Sequence, residues 1–407
     1  YLIIFKINKD NIMEKLIYMD NAATTSTAPE VVSAMLPFFT EYYGNPSSVY
    51  NFAQKSKMAI EDAREIIADS IGAAKSNEIY FTGGGSESDN WALKSAAFGL
   101  RDKGNHIITT KIEHHAILNT CAYLEKNGFE VTYLDVDSEG FVSLEDVENA
   151  ITEKTILISV MFANNEIGTI EPVCEIGEIA HKHGILFHTD AVQAMCHVPI
   201  NVTEMNIDLL SASAHKFHGP KGVGFMYMKN SAKLEPFIHG GAQERARRAG
   251  TSNVPGIVGM GQAVKLALST LDKDTHTIIN MRNYIVDRIL GEIPDVTFDG
   301  PCIDANAVSA GSPAGSLKRL PSNMHFCFKD VSGDSLLIML DMNGICASSG
   351  SACAAGSIDP SHVLLAIGRS KGETKGALRL SIDKDLTKED ADYAIDALKA
   401  AVARLRR

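Results

Sequence analysis

The chemistry of this chain begins at a lysine flanked by histidines, in Ser213-Ala214-His215-Lys216-Phe217-His218, with Gly219-Pro220 breaking the segment after it. A mostly apolar run, Ile207 to Leu210, leads in, and small residues let the backbone turn. Desolvation and nearby positive charge partly neutralise an amine and make it a nucleophile. A lone lysine after a strand is ordinarily a surface residue. The case for Lys216 therefore rests on what could stand beside it.

Several groups could. Gly83-Gly84-Gly85-Ser86-Glu87-Ser88 follows a predicted strand, Glu78–Thr82, and opens a helix. Such a turn aims unpaired N–H groups and a positive dipole end at an anion, usually a phosphate. It matches neither Walker A nor G-x-G-x-x-G, so a nucleotide is not indicated. Glu113-His114-His115, Asn164-Asn165-Glu166 and Asp190 with Gln193 each follow a predicted strand. Arg379 lies in a predicted strand, and Cys353 in Ala347–Ser357, a run almost without side-chain bulk.

Each also has a plain structural reading. The glycines suit a chain reversal, Asp190 a helix N-cap, and Asn164 and Asn165 a turn. His114 suits a satisfied polar site, Cys353 a small buried residue, and Arg379 an edge or surface charge. Taken together they offer a phosphate cradle at Gly85 and Ser86, with Ser213 and His215 as further donors. They add an imine-forming amine at Lys216, a carboxylate at Asp190 able to keep a ring nitrogen protonated, and His114 to lie on the ring. Phosphate anchor, imine lysine and acid on the ring nitrogen are the demands of pyridoxal phosphate.

The elements that must position these groups alternate. Thr27, before Pro29, is expected to start a helix through about Phe39, and another runs from about Phe52 to Ile71 and stops at Gly72. Strands are predicted at His106–Thr110, Val131–Leu134, Ile156–Met161, Ile185–Thr189, Asp208–Ser211 and Val223–Met228, with helices at Ala116–Lys126 and Val173–His183. This βα alternation predicts an α/β fold, a mostly parallel sheet covered by helices, with ligands at the C-terminal strand ends. After Gly250-Thr251-Ser252-Asn253 a helical tract, Val254 to Leu290, leads to a second lobe. Residues 302–318 read as a loop or insertion, Asn323–Phe328 as a strand, and Ser335–Met342 as a helix. A helix from Ser361, a strand Ala377–Ile382 and a final helix capped by Thr387 complete the chain.

At 407 residues two lobes are expected, 16–265 and 266–407, after an extension at 1–15. A net charge of −12 argues against nucleic acid as a partner. Seven cysteines without a C-x-x-C pair fit a reduced, cytoplasmic protein with no disulfide framework and no metal site. No apolar run approaches the roughly 20 residues of a membrane helix. Tyr1–Phe5 is too short for a signal sequence, and Met13 reads as a natural start, so residues 1–12 are expected to be upstream sequence.

From about Leu16 onward the chain resembles the cysteine desulfurases of the NifS/IscS type, in the class V branch of fold-type I pyridoxal-phosphate enzymes. The matching segments are Tyr18–Thr25, Asn45–Ser48, Phe81–Asn90, Glu113–Ala116, Asn164–Thr169, Asp190–Gln193, Ser213–Lys216, Arg248–Thr251 and Ser348–Cys353. The last is closer to the NifS/IscS group than to the SufS group. The resemblance implies a large domain with a seven-stranded sheet and a smaller α+β domain. It implies that Lys216 carries the cofactor, Asp190 pairs with the pyridine nitrogen, Gln193 bonds the ring hydroxyl and His114 stacks on the ring. Gly85, Ser86, Ser213 and His215 would hold the phosphate, with Thr251 reaching in from the partner of a homodimer. Asn165 would lie beside cofactor and substrate, and Arg379 would grip the substrate carboxylate. Cys353 would take sulfur from L-cysteine as a persulfide, leaving L-alanine, and pass it to an acceptor such as an iron–sulfur scaffold, or to tRNA or cofactor thiolation. Tyr50 and Ala53 stand where the family usually has His and Gly, Ser86 replaces the commoner threonine, and the 302–318 tract is longer. A class V aminotransferase or selenocysteine lyase is the competing enzyme reading, and Cys353 separates it, since an aminotransferase needs no cysteine there. A scaffold without turnover is disfavoured by the presence of Lys216, Asp190 and Arg379.

Overall fold

The computed structural model describes residues 16–232, 234–303, 317–350 and 360–407. The expected extension at 1–15, most of the 302–318 tract and Cys353 lie outside the described residues. In chain order the strands are β1 (Ile17–Tyr18), β2 (Ile79–Thr82), β3 (His106–Thr110), β4 (Glu130–Leu134), β5 (Thr155–Ser159), β6 (Leu186–Asp190), β7 (Leu209–Ser213), β8 (Gly224–Met228), β9 (Val296–Phe298), β10 (Asn323–Phe328), β11 (Ile345–Cys346) and β12 (Ala377–Ser381). The helices are α1 (Pro29–Met35), α2 (Pro37–Thr40), α3 (Asn51–Ser70), α4 (Gly85–Gly99), α5 (His115–Glu125), α6 (Leu144–Asn149), α7 (Val173–Lys182), α8 (Gln243–Ala246), α9 (Val254–Glu292), α10 (Gly333–Asp341), α11 (His362–Ala366) and α12 (Lys388–Leu405).

The central sheet has seven strands in the order β2-β8-β7-β6-β5-β3-β4. Only β8 runs against its neighbours, β2 and β7. It follows β7 by a short turn, and a parallel return would need a crossover helix. Strands β2, β3, β5, β7 and β8 are buried at every position, as a sheet covered on both faces requires. One face packs Ile67, Ile176 and Ile257 into a core beside Ile158 and Phe187, and the other packs Trp91 and Ile117 against Leu157 and Met226.

A third core lies around the antiparallel sheet β12-β10-β9, where Phe326 and Leu378 meet Leu336 of α10 and Ile395 of α12. Helix α9 joins the cores: Val254 to Val264 pack into the first, Ile278 to Ile289 into the third. Contrary to the expectation of no such run, α9 is long and apolar enough by composition to cross a membrane. Both ends of it are core packing. Strand β1 pairs with β11, so the start of the described chain belongs to its end.

Most boundaries fall within one or two residues of those read in the sequence, and the first helix differs more. Thr27 caps no helix: Ala28 is the N-cap of α1, and Thr27 Oγ1 instead faces Gly219 O at 3.4 Å. Pro37 then ends α1 and starts α2, since proline donates no backbone hydrogen bond. Ser361 and Thr387 do cap, accepting from Leu364 N and Asp390 N. The short helix α8 was not expected. Glu244, Arg245 and Ala246 sit consecutively in the left-handed region, with φ of 44°, 57° and 61°.

Candidate active site

The C-terminal ends of β2, β3, β5, β6 and β7 open on one cavity of about 230 Å³. Its lining brings together Gly85, Ser86, His114, Asn165, Asp190, Gln193, Ser213, His215, Lys216 and Arg379. Ten of the sequence candidates therefore meet. Thr251 is exposed and does not line the cavity, and Cys353 lies outside the described residues.

Lys216 ends a single 3₁₀ turn after β7. Its Nζ donates to Ala22 O at 2.6 Å and Ala23 O at 2.8 Å. Gln193 Nε2 donates to the same Ala22 carbonyl at 2.9 Å. The turn after β1 thus seats the amine, a role the sequence reading did not give it.

Asp190 is the last residue of β6 and is buried. Its Oδ1 accepts from Val192 N at 2.9 Å, closing an Asx turn, and no helix follows, so the N-cap reading fails. Burial raises its pKa, while His114 and Lys216 pull it back toward the charged form. His114 is the N-cap of α5, its Nδ1 accepting from Ala116 N at 3.1 Å. That bond fixes Nδ1 as an acceptor, so the neutral ring carries its proton on Nε2. The structural and chemical readings of His114 are compatible.

The glycine turn has no side chain to cap α4, because Gly84 is the N-cap, at φ 149°. The first turn, Gly85 to Glu87, lines an opening together with Thr24, Ser213, His215 and Lys221. His215 Nδ1 lies 3.1 Å from Thr24 Oγ1. Its pKa falls to about 4, from burial first and then Lys216 and Lys221. Glu87, in the same turn, takes Gly83 N at 2.8 Å and is neutralised by Arg248, whose Nε stands 2.8 Å away.

Arg379 is 1% exposed, which removes the surface-charge reading. Its Nη1 donates to Asn165 O (2.9 Å) and Gly350 O (2.8 Å), and Nη2 to Asp20 Oδ1 (2.8 Å). Its Nε has no hydrogen-bond partner among the described residues. Asn164 makes the turn the sequence suggested, with Oδ1 accepting from Glu166 N and Ile167 N.

Sequence reasoning gave no role to His362 or Asp89, and placed Glu166 only in a strand-end cluster; all three are in the lining. Glu166 Oε2 accepts from Ser361 Oγ at 2.6 Å, and His362 stacks edge-on against His115 at 4.8 Å. The signal for Asp89 was available: it lies four residues after Gly85 on α4, on the same face.

Residues 17–394 match the model of the aminotransferase class-V family. The chain is 54% identical over 394 residues to a cysteine desulfurase IscS of Clostridium botulinum, covering 97% of this chain and 96% of the relative. A solved structure described as a NifS-like protein is 36% identical, with a TM-score of 0.87, covering 96% of this chain and 100% of that one. Another, of SspA in complex with cysteine, is 38% identical with a TM-score of 0.76, covering 90% and 99%. The chain belongs to the aminotransferase class-V family and, within it, to the NifS/IscS-type cysteine desulfurases.

Proposed function

We propose that the chain removes sulfur from L-cysteine, yielding L-alanine and a persulfide on Cys353, with pyridoxal 5′-phosphate as cofactor. One observation carries this reading: Lys216, Asp190, His114 and Arg379 line a single cavity. The residues fit the cofactor. A helix start without a side-chain cap, beside Ser86, Ser213 and His215, suits a phosphate. The buried Asp190 carboxylate suits a protonated ring nitrogen, and Lys216 would hold the cofactor covalently through its amine. The buried, unpartnered Nε of Arg379 suits a substrate carboxylate.

When bound, the cofactor supplies an electron sink that makes the substrate Cα–H acidic and loosens its Cβ–S bond. The protein does the rest. Arg379 and Asn165 would orient the amino acid, Gln193 would serve the ring hydroxyl, and Lys216 would move the proton at Cα. His114, its ring oriented by the Ala116 N–H, would lie on the cofactor and could carry a proton on Nε2. Cys353 takes the sulfur atom: an S–S bond forms, the Cβ–S bond breaks, and Cβ gains a proton. The sum is L-cysteine and thiol to L-alanine and persulfide.

The same reading includes a homodimer in which Thr251 of the partner subunit completes the phosphate site. Exposed Leu36, Phe39, Tyr43, Phe52 and Val49 (96% exposed) support such a face. It includes a division at about residue 265, supported by α9 leaving one core after Val264 and entering the other by Ile278. A sulfur-acceptor protein, such as an iron–sulfur scaffold, would take the persulfide. A cytoplasmic setting accords with six described cysteines, all free thiols. The test is incubation with L-cysteine, assay of alanine, and mass spectrometry of Cys353. Alanine formed at the wild-type rate by Cys353→Ala would overturn the persulfide route.

A further inference from the structure

Asp190 has a second carboxyl beside it. Asp89, on α4, is 1% exposed and lines the same cavity. Ligand-type atoms of Asp89, Asp190 and His114 all lie within 4.8 Å of one another. Asp89 Oδ1 accepts no hydrogen bond among the described residues, and His188 Nε2 stands 3.8 Å from it.

His188 is not a counter-charge. It is fully buried, with Nδ1 2.9 Å from Ser159 Oγ and Nε2 3.0 Å from Ser211 Oγ, and burial drops its pKa to about 3. The groups that face Asp89 are thus Asp190, Glu113, His114, Ser211 and a neutral His188. Glu113 is buried as well, and its Oε1 accepts from Thr110 Oγ1 and Met161 N, both at 2.9 Å. Among the described residues no lysine or arginine pairs with Asp89.

Two carboxyls this close and this dry do not both ionise, and their surroundings decide which keeps the proton. Asp190 accepts the Val192 N–H and feels both His114 and Lys216. Asp89 has the Ser211 hydroxyl to set against burial and the repulsion of Asp190. The balance favours charge on Asp190.

We propose that Asp89 is held as a neutral carboxylic acid beside an ionised Asp190, as a positioning residue that confines the pair's single negative charge to the carboxylate facing the cofactor ring. This rests on the pyridoxal-phosphate reading only for what Asp190 faces. The division of charge is a property of the chain.

The test is difference infrared spectroscopy on the full chain with pyridoxal phosphate added, comparing wild type, Asp89→Asn and Ser211→Ala. At neutral pH the wild type should show the C=O stretch of a buried carboxylic acid, and D89N should lose it. S211A should keep that band and move it to higher frequency, because its hydrogen bond is gone. On raising the pH, the band should vanish together with a step in cofactor absorbance that D89N lacks. Equal wild-type and D89N spectra at neutral pH would overturn the proposal, as would an unchanged alkaline step in D89N. If D89N does not fold, S211A decides: an acid band that moves between wild type and S211A supports the neutral acid at Asp89, and acid bands identical in the two remove it. A carboxylic-acid band that D89N loses, in a chain that binds no pyridoxal phosphate, would keep this proposal and sink the cofactor reading.

Discussion

Arg379 Nη2 donates to Asp20 Oδ1 at 2.8 Å, tying β12 to the turn after β1. That turn also provides the Ala22 and Ala23 carbonyls that seat Lys216. The candidate substrate-binding cation and the candidate cofactor lysine therefore share one short support, four residues long.

Arg379→Lys keeps a positive charge but loses the fork. The KM for L-cysteine should rise about 10- to 100-fold, from the roughly 1.5–3 kcal/mol of a charged hydrogen bond. Cofactor absorbance should be unchanged. Steady-state kinetics with the absorbance spectrum checks both.

Lys216→Ala and Cys353→Ala should fail differently. Removing the lysine should cut alanine formation by about 10²–10⁴, the usual range for a lost acid–base group, and abolish the absorbance of covalently held cofactor. Removing the cysteine should leave that absorbance intact and eliminate the added sulfur at residue 353. Absorbance and intact mass, measured on the same samples, distinguish the two.

Glu171 predicts a pH dependence of stability. It is buried, its Oε2 accepts from Val142 N at 3.1 Å, and its Oε1 has no partner among the described residues. Burial raises its pKa to about 8, with Asp137 adding to the shift. A raised carboxyl is protonated when folded and ionised when unfolded between its two pKa values. Its contribution is therefore intact below about pH 4.5 and is lost progressively as pH rises to about 8. Glu171→Gln should raise Tm by several degrees at pH 8 and leave it nearly unchanged in acid, measured by thermal melts across pH.

The left-handed turn at Glu244–Ala246 is held from outside. Glu244 takes a two-pronged bond from buried Arg64, at 2.8 and 2.9 Å, and accepts from Phe81 N at 3.0 Å. Glu244→Ala leaves that guanidinium only half-exposed Glu61 and the Ile79 carbonyl, and should cost about 1–3 kcal/mol. Ala246→Gly, at φ 61°, should stabilise by about 1 kcal/mol. Chemical denaturation reads both.

The cavity's principal groups were legible because sheet chemistry repeats locally. A strand followed by a polar cluster puts that cluster at one edge, and His114, Asn165, Asp190 and Lys216 all obey this. The reversed strand β8 was not legible, because its apolar run, Gly224–Met228, reads the same in either direction. Neither was the seat of Lys216, since backbone carbonyls at Ala22 and Ala23 carry no side-chain signature. Thr27 misled because a good N-cap residue was satisfied elsewhere, opposite Gly219. The left-handed turn could not be read from Glu244, Arg245 and Ala246, as its cause is Arg64, far back in the sequence.

The pairing of β1 with β11, and of Asp20 with Ser381, has a consequence for how the enzyme is made. Chains emerge from the ribosome amino end first, and their domains tend to fold in that order. The sheet that carries Lys216 and Asp190 can assemble once Met228 has emerged. The turn that supports both ends of the cavity cannot settle until Arg379 and Ser381 are free. A nascent chain paused before β12 would hold a formed sheet edge without its arginine, so the finished cavity is among the last parts of the molecule to exist.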